Sequence, residues 1–148
     1  MIGKGDVSHP SSVLDLNAYL MYLIGKTARR RLTERLTARG LRLWHATALA
    51  LLADIGPRPK GDLAARLDMN PSDLVKIVND LDRAGWVTCT RDTADRRRIE
   101  VALTPAGRSA LTSLNAEISA VDDDLLAPLS EAERAQLGSL LRRLHVDA

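Results

Sequence analysis

Apolar positions in this chain recur at spacings of three and four over most of its length, and alternate with polar ones only between residues 86 and 104. From residue 13 to about 39 the pattern predicts one long helix, stopped by Gly40 in the place favoured just past a helix end. Two apolar stripes run along it. One is Leu14, Ala18, Met21, Gly25, Ala28, Leu32 and Leu36; the other is Val13, Leu16, Leu20 and Leu23, with Ile24 beside it. Two stripes require burial on two sides, once within the subunit and once against something else. The small residues Ala18, Gly25 and Ala28 suit a close helix–helix approach, although the central helix of a monomer is the simpler alternative.

Residues 41–55 form a second helical pattern with Trp44, Ala48, Leu51, Leu52 and Ile55 on one side, ended by Gly56-Pro57-Arg58-Pro59. A short helix over 60–67 turns Leu63, Ala64 and Leu67 inward, and 68–70 is a tight turn. Asn70-Pro71-Ser72-Asp73 then has the form of a helix N-terminus, with Asn70 as N-cap, Pro71 first in the helix and Asp73 at the capping-box position. That helix continues to about Ala84 with Leu74, Ile77, Val78 and Leu81 inward, and Gly85 closes it.

In the alternating stretch, Val87, Cys89 and Arg91 share one face of a strand, as do Ile99, Val101 and Leu103 on the next. Residues 91–98 between them hold four arginines, two aspartates and no large apolar side chain. Unpaired guanidinium groups do not enter a core, so this loop stays in water. Helix, helix, turn, helix and hairpin, in that order, make a winged helix-turn-helix. Thr104-Pro105 restarts helix, and Leu111, Leu114, Ile118, Val121 and Leu125 repeat at helical spacing until Pro128. Ser130 and Glu133 form a capping box that opens a last helix with Leu137, Leu140, Leu141 and Leu144 along one side. The predicted fold is mostly α with a small β-hairpin wing. Its expected parts are a flexible tail over 1–12, a dimerisation helix over 13–40, a winged helix-turn-helix domain over 41–104 and dimerisation helices over 105–148.

Composition narrows the function classes. With 45% hydrophobic and 27% charged residues the chain has an ordinary globular composition, and without Phe its core must be built from Leu, Ala, Val and Ile. The net charge of +2 is small, but its distribution is uneven. Arginines crowd residues 29–42 and the wing, while 117–133 is acidic, so one face is suited to an anion. No apolar leader opens the chain and no stretch reaches the length of a membrane span. Cys89, the single cysteine, cannot form an intramolecular disulfide. These features fit a cytoplasmic protein with no membrane partner. The histidines His9, His45 and His145 are scattered, and neither metal-ligand spacings nor a phosphate-cradling glycine loop occurs. No enzyme activity, metal or cofactor is expected.

The run RDTADRRRIEVALTPAG, residues 91–107, is similar to the wing signature of the MarR family of bacterial and archaeal transcription regulators: Arg-Asp-Pro, Asp-Arg-Arg, a valine, then Leu-Thr followed by Gly. LSEAERAQLGSLLRRL, residues 129–144, resembles the family's last helix, and the resemblance extends over about 16–144. Thr93 stands where the family has Pro, Arg42 where a capping Thr is common, and Asp80 where Arg or Lys is frequent. The resemblance implies a homodimeric transcription regulator that binds double-stranded DNA and represses by occluding a promoter. A symmetric dimer presents two recognition helices about one DNA turn apart, so its operator would be a pseudo-palindrome.

On the helix starting at Pro71, the outward residues Pro71, Ser72, Asp73, Val75, Lys76 and Asn79 would face the major groove. Ser72 can donate or accept, Val75 suits a thymine methyl, Lys76 a guanine or phosphate, and Asn79 an adenine or phosphate. Asp73 either caps its own helix or reads cytosine. In the wing, the resemblance implies that Arg97 enters the minor groove while Asp95 orients it, and a narrow minor groove does concentrate negative potential. Arg96 and Arg98 are expected on phosphates. Relatives of this kind release DNA on binding a small aromatic or anionic ligand, here a phenol or carboxylate. Its candidate contacts are Tyr19, Tyr22, Lys26, Trp44 and His45, unless the aromatics simply pack at an interface. Cys89 is expected to be a buried strand residue rather than a reactive thiol. The alternatives are a winged helix that binds protein, and a DNA binder with no effector.

Overall fold

The computed structural model describes residues 12–147. Its elements run α1 (Asn17–Thr37), α2 (Leu43–Ile55), β1 (Arg58–Pro59), α3 (Lys60–Arg66), α4 (Pro71–Arg83), β2 (Val87–Arg91), β3 (Ile99–Leu103), α5 (Pro105–Leu125) and α6 (Glu131–Asp147). The architecture is a helical winged helix-turn-helix with a small antiparallel sheet. The tail expected over 1–12 lies outside the described residues except for Ser12. That residue has a role: its side chain accepts the Leu14 N–H at 3.1 Å and caps a single 3-10 turn, Val13–Asp15. Leu16 is extended, so the long first helix starts later than the apolar pattern predicts.

Helix ends follow from backbone chemistry. At Gly40 (φ 72°) the Leu41 N–H bonds the Leu36 carbonyl and the Gly40 N–H bonds Thr37, the paired bonds of a left-handed helix stop. Gly85 ends α4 in the same way, with the Trp86 N–H on Leu81. Asp68 makes this turn after α3 without being glycine, at φ 50°.

The core lies where α2, α3, α4, the sheet and the ends of α1 and α5 meet. Leu36, Leu49, Leu52, Leu63, Leu74, Val78, Leu81, Val87, Val101 and Leu114 are fully buried there. Two ties hold α1 to α5: Arg35 to Glu117 at 3.4 Å and Arg39 to the Ser113 hydroxyl at 2.9 Å. Away from that seam the apolar stripes stay in water. Leu14, Leu16, Leu20, Tyr22 and Ile24 near the N-terminus are exposed, as are Leu140, Leu141 and Leu144 on α6.

Two expectations are corrected. The segment Gly56–Pro59, read as a plain helix stop, contributes β1, which pairs antiparallel with β3 in a three-stranded sheet of order β1-β3-β2. A two-residue strand has no alternation to detect, and Pro59, lacking an N–H, is tolerated at the sheet edge. Cys89 is exposed, not buried. It pairs with Val101 and shares a face with buried Val87, but β2 runs outward past the core, and only its first residue is covered. Partial desolvation of the sulfur, helped by the Asp82 carboxylate and opposed by Lys60, still pushes the thiol above its ordinary range.

Candidate nucleic-acid interface

Helix α4 separates its two faces cleanly. Leu74, Ile77, Val78 and Leu81 are buried, and Pro71, Ser72, Asp73, Val75, Lys76 and Asn79 are all exposed. Its start is built by Asn70, whose Oδ1 accepts both the Ser72 N–H at 2.9 Å and the Ser72 hydroxyl at 2.8 Å. The Ser72 hydrogen is thereby engaged within the protein, which leaves its oxygen to accept. The capping-box bond expected of Asp73 is absent among the described residues, because Asn70 serves the helix end alone. Asp73 therefore keeps a free carboxylate in the first turn, stabilised by the helix dipole and repelled by phosphate.

The wing turn is ordered by two carboxylates. Asp92 Oδ1 accepts the Ala94 N–H at 2.8 Å, and the Asp92 N–H closes the turn on the Arg98 carbonyl at 2.9 Å. Asp95 Oδ1 accepts both the backbone N–H of Arg97 at 3.0 Å and its Nε at 3.3 Å. Arg91 donates to the Arg96 carbonyl from below. The Arg97 side chain is 92% exposed, yet anchored at Nε, so its outer nitrogens are presented to solvent from a fixed base. Arg96 and Arg98 are exposed beside it.

Behind α4 lies a contact that no periodicity announces. His45, on the first turn of α2, is buried at 4% exposure. Its Nδ1 accepts the Arg42 N–H at 2.9 Å, and its Nε2 lies 3.0 Å from Asp80 Oδ2 on α4. A nitrogen that accepts from a backbone N–H carries no proton, so the proton sits on Nε2 and is donated to Asp80. Asp80 Oδ1 in turn takes Arg83. The His45 hydrogen bond, opposed by desolvation and seconded by Arg83, holds the Asp80 carboxyl below its ordinary range. Arg42 caps α2 with no side-chain bond, as its departure from Thr predicts, and the imidazole supplies a partner for the free N–H.

The MarR family model matches residues 39–98, which span α2, the helix-turn-helix and most of the wing. Over those residues the chain is similar to the MarR family. The chain is 39% identical over 83 residues to the regulatory protein assigned to the hcr operon of Thauera aromatica, a match covering 56% of the chain and 50% of that protein. An HTH-type transcriptional repressor of Mycobacterium tuberculosis is 25% identical over 129 residues, covering 87% of the chain and 93% of the repressor. Among solved structures, a probable transcriptional regulator from Pseudomonas aeruginosa superposes with a TM-score of 0.75 at 28% identity, over 90% of this chain and 99% of that one.

The candidate effector residues do not converge. Trp44 and His45 border an open cleft of about 820 Å³ with Arg42, Asp73, Lys76 and Asp80, but its α1 wall is Thr37. About 22 Å of helix axis separates Tyr22 from Thr37. Tyr19 and Tyr22 instead stack on each other at 6.3 Å between ring centroids, with Lys26 Nζ 5.4 Å from the centre of the Tyr22 ring. His45, with both nitrogens engaged, has none to offer a ligand. Among the described residues, no cluster of histidine, cysteine and carboxylate side chains is arranged to hold a metal, and no helix is long and apolar enough to cross a membrane.

Sequence reasoning missed Asp92 as the organiser of the wing turn. The available signal was an Asp followed by Thr93 and the small Ala94 in a loop of charged residues, a place where an Asx turn is favoured. In the sequence Asp80 stands out as a departure from the family pattern and as a charge opposed to phosphate, and its partner 35 positions earlier leaves no local trace.

Proposed function

We propose that the chain is a homodimeric, sequence-specific DNA-binding transcription regulator that acts as a repressor at a pseudo-palindromic operator. The observation that carries this reading is the pre-ordered wing: Arg97 is exposed and held at its Nε by Asp95, in a loop whose backbone is tied by Asp92. Fixing an arginine before it meets a narrow, electronegative groove reduces the entropy lost on binding. The outer residues of α4, Ser72, Val75, Lys76 and Asn79, would read base edges, and Arg96 and Arg98 would meet phosphates. The Mycobacterium tuberculosis relative is named a repressor and has been solved in complex with DNA, which supports the same role here.

Residues 13–40 and 105–148 are assigned to dimerisation. Their exposed apolar stripes, including Leu16, Leu20, Leu140 and Leu144, are the faces that a second copy would bury, and the Tyr19–Tyr22 stack belongs with that interface. A phenolic or carboxylate effector would find Trp44, Arg42 and Lys76 at the cleft beside α4, where occupancy would compete with DNA.

Arg97→Ala tests the reading. It should lower affinity for a selected operator duplex by more than about tenfold, the loss of one well-placed arginine contact, with the thermal unfolding curve unchanged. An unchanged binding isotherm would sink it.

A further inference from the structure

Among the described residues His45 is the one polar side chain in the buried set, and its two ring nitrogens face different elements. Nδ1 takes the N–H of Arg42, where α2 begins directly after the turn that closes α1. Nε2 reaches Asp80, one turn beyond Lys76 and next to Asn79 on the helix assigned to the major groove. Among the described residues no other side-chain hydrogen bond joins α2 to α4. The rest of that contact is apolar, through residues such as Leu49, Leu52, Leu74 and Val78. Apolar packing is non-directional and tolerates small rotations of a helix about its axis, whereas a hydrogen bond to a buried imidazole does not.

We infer that Asp80 and His45 are positioning residues: together they set the rotation of α4, and so where Lys76 and Asn79 point, relative to the end of the dimer helix α1. This rests on the proposed DNA-binding role and adds to it a residue whose chemistry runs against a contact with DNA. A carboxylate on a DNA-facing helix repels phosphate. If Asp80 did nothing else, its removal would tighten binding to every duplex. The positioning role gives the opposite sign on the operator and leaves that sign in place on unrelated DNA.

The full-length protein, Asp80→Ala and Asp80→Asn are titrated against a duplex selected by the wild type from randomised double-stranded DNA, and against an unrelated duplex of equal length. Asp80→Ala should lose about tenfold on the selected duplex, the equivalent of one hydrogen bond, and lose nothing on the unrelated one. Asp80→Asn keeps an oxygen to accept from Nε2 and should recover most of the affinity. Nitrogen NMR of His45 in the wild type should show a bare Nδ1 and a protonated Nε2, with the preference retained in Asp80→Asn.

Undiminished operator binding by Asp80→Ala overturns the inference, as does an equal loss in both variants, which would make the charge and not the acceptor the cause. If Asp80→Ala fails to fold, Asp80→Asn and the tautomer decide, and a protonated Nδ1 in the wild type overturns the inference alone. Absence of any duplex binding by the wild type overturns the DNA-binding reading and takes this inference with it, so the two failures are distinguishable.

Discussion

At Gly107 the first turn of α5 passes so close to the base of the wing that a Cβ there would collide with the Trp86 carbonyl oxygen and lie 2.7 Å from Leu103 Cδ1. That carbonyl cannot give way cheaply, since it accepts the Thr104 N–H at 3.0 Å, while the Thr104 hydroxyl bonds the Gly85 carbonyl at 2.7 Å and also caps α5. The glycine of the family's wing signature is thus a packing requirement rather than a turn. Gly107→Ala replaces glycine with the best helix former, yet overpacking of about 1–3 kcal/mol should outweigh the roughly 1 kcal/mol that alanine gains in a helix and destabilise the fold. Chemical denaturation checks it; a rise in stability would show that the contact relaxes at no cost. Cys89 teaches a related lesson. It lies on the face that strand alternation assigns to the core, but alternation tells only which way a side chain points, not whether anything covers it.

Among the elements, α4 and the wing were largely legible before any coordinates. Asn70-Pro71 announces a helix start, and the buried set of α4 is the set its spacing predicts. The register Val87–Leu103, Cys89–Val101 and Arg91–Ile99 joins the residues that alternation placed on one face. Strand β1 was not legible, because its pairing with β3 is created by the chain's return and not by its own residues. Helix α6 has a readable capping box, in which Ser130 Oγ accepts the Glu133 N–H at 3.2 Å and Glu133 Oε1 accepts the Ser130 N–H at 2.9 Å. Its Leu140, Leu141 and Leu144, by contrast, are exposed in the isolated chain, while Leu137 is half-buried. Leu140→Asp together with Leu144→Asp removes apolar area that only a partner could bury. The double variant should weaken dimerisation by about a hundredfold or more while the helices of each subunit persist. Sedimentation equilibrium reads this directly, and an unchanged association constant would assign those leucines to another contact.

For the whole molecule, net charge is a poor guide: +2 is spread over a basic wing and an acidic stretch ahead of α6. Binding that depends on the wing arginines should be steeply salt-dependent, falling by about a hundredfold or more between roughly 50 and 200 mM salt as neutralised phosphates release counterions. Arg98→Ala should reduce the slope of log affinity against log salt by about one. A flat salt response would favour the rival winged helix that binds protein, a rival kept alive by the carboxylates of Asp73 and Asp80. The effector question also belongs to this scale. The open cleft and the Tyr19–Tyr22–Lys26 cluster occupy opposite stretches of α1, so one subunit cannot surround a ligand with all five candidate residues.

The sequence alone determined the helices, their stops, the faces of the two hairpin strands and the basic wing, because each depends on residues within a few positions of one another: spacing, caps, glycines and a run of unburiable charge. Tertiary structure alone decided that Cys89 lies outside the core, that Arg58–Pro59 is a strand, and that His45 and Asp80 are partners. Burial and long-range hydrogen bonding depend on which surfaces fold back upon one another, and no local pattern encodes a contact between residues 45 and 80.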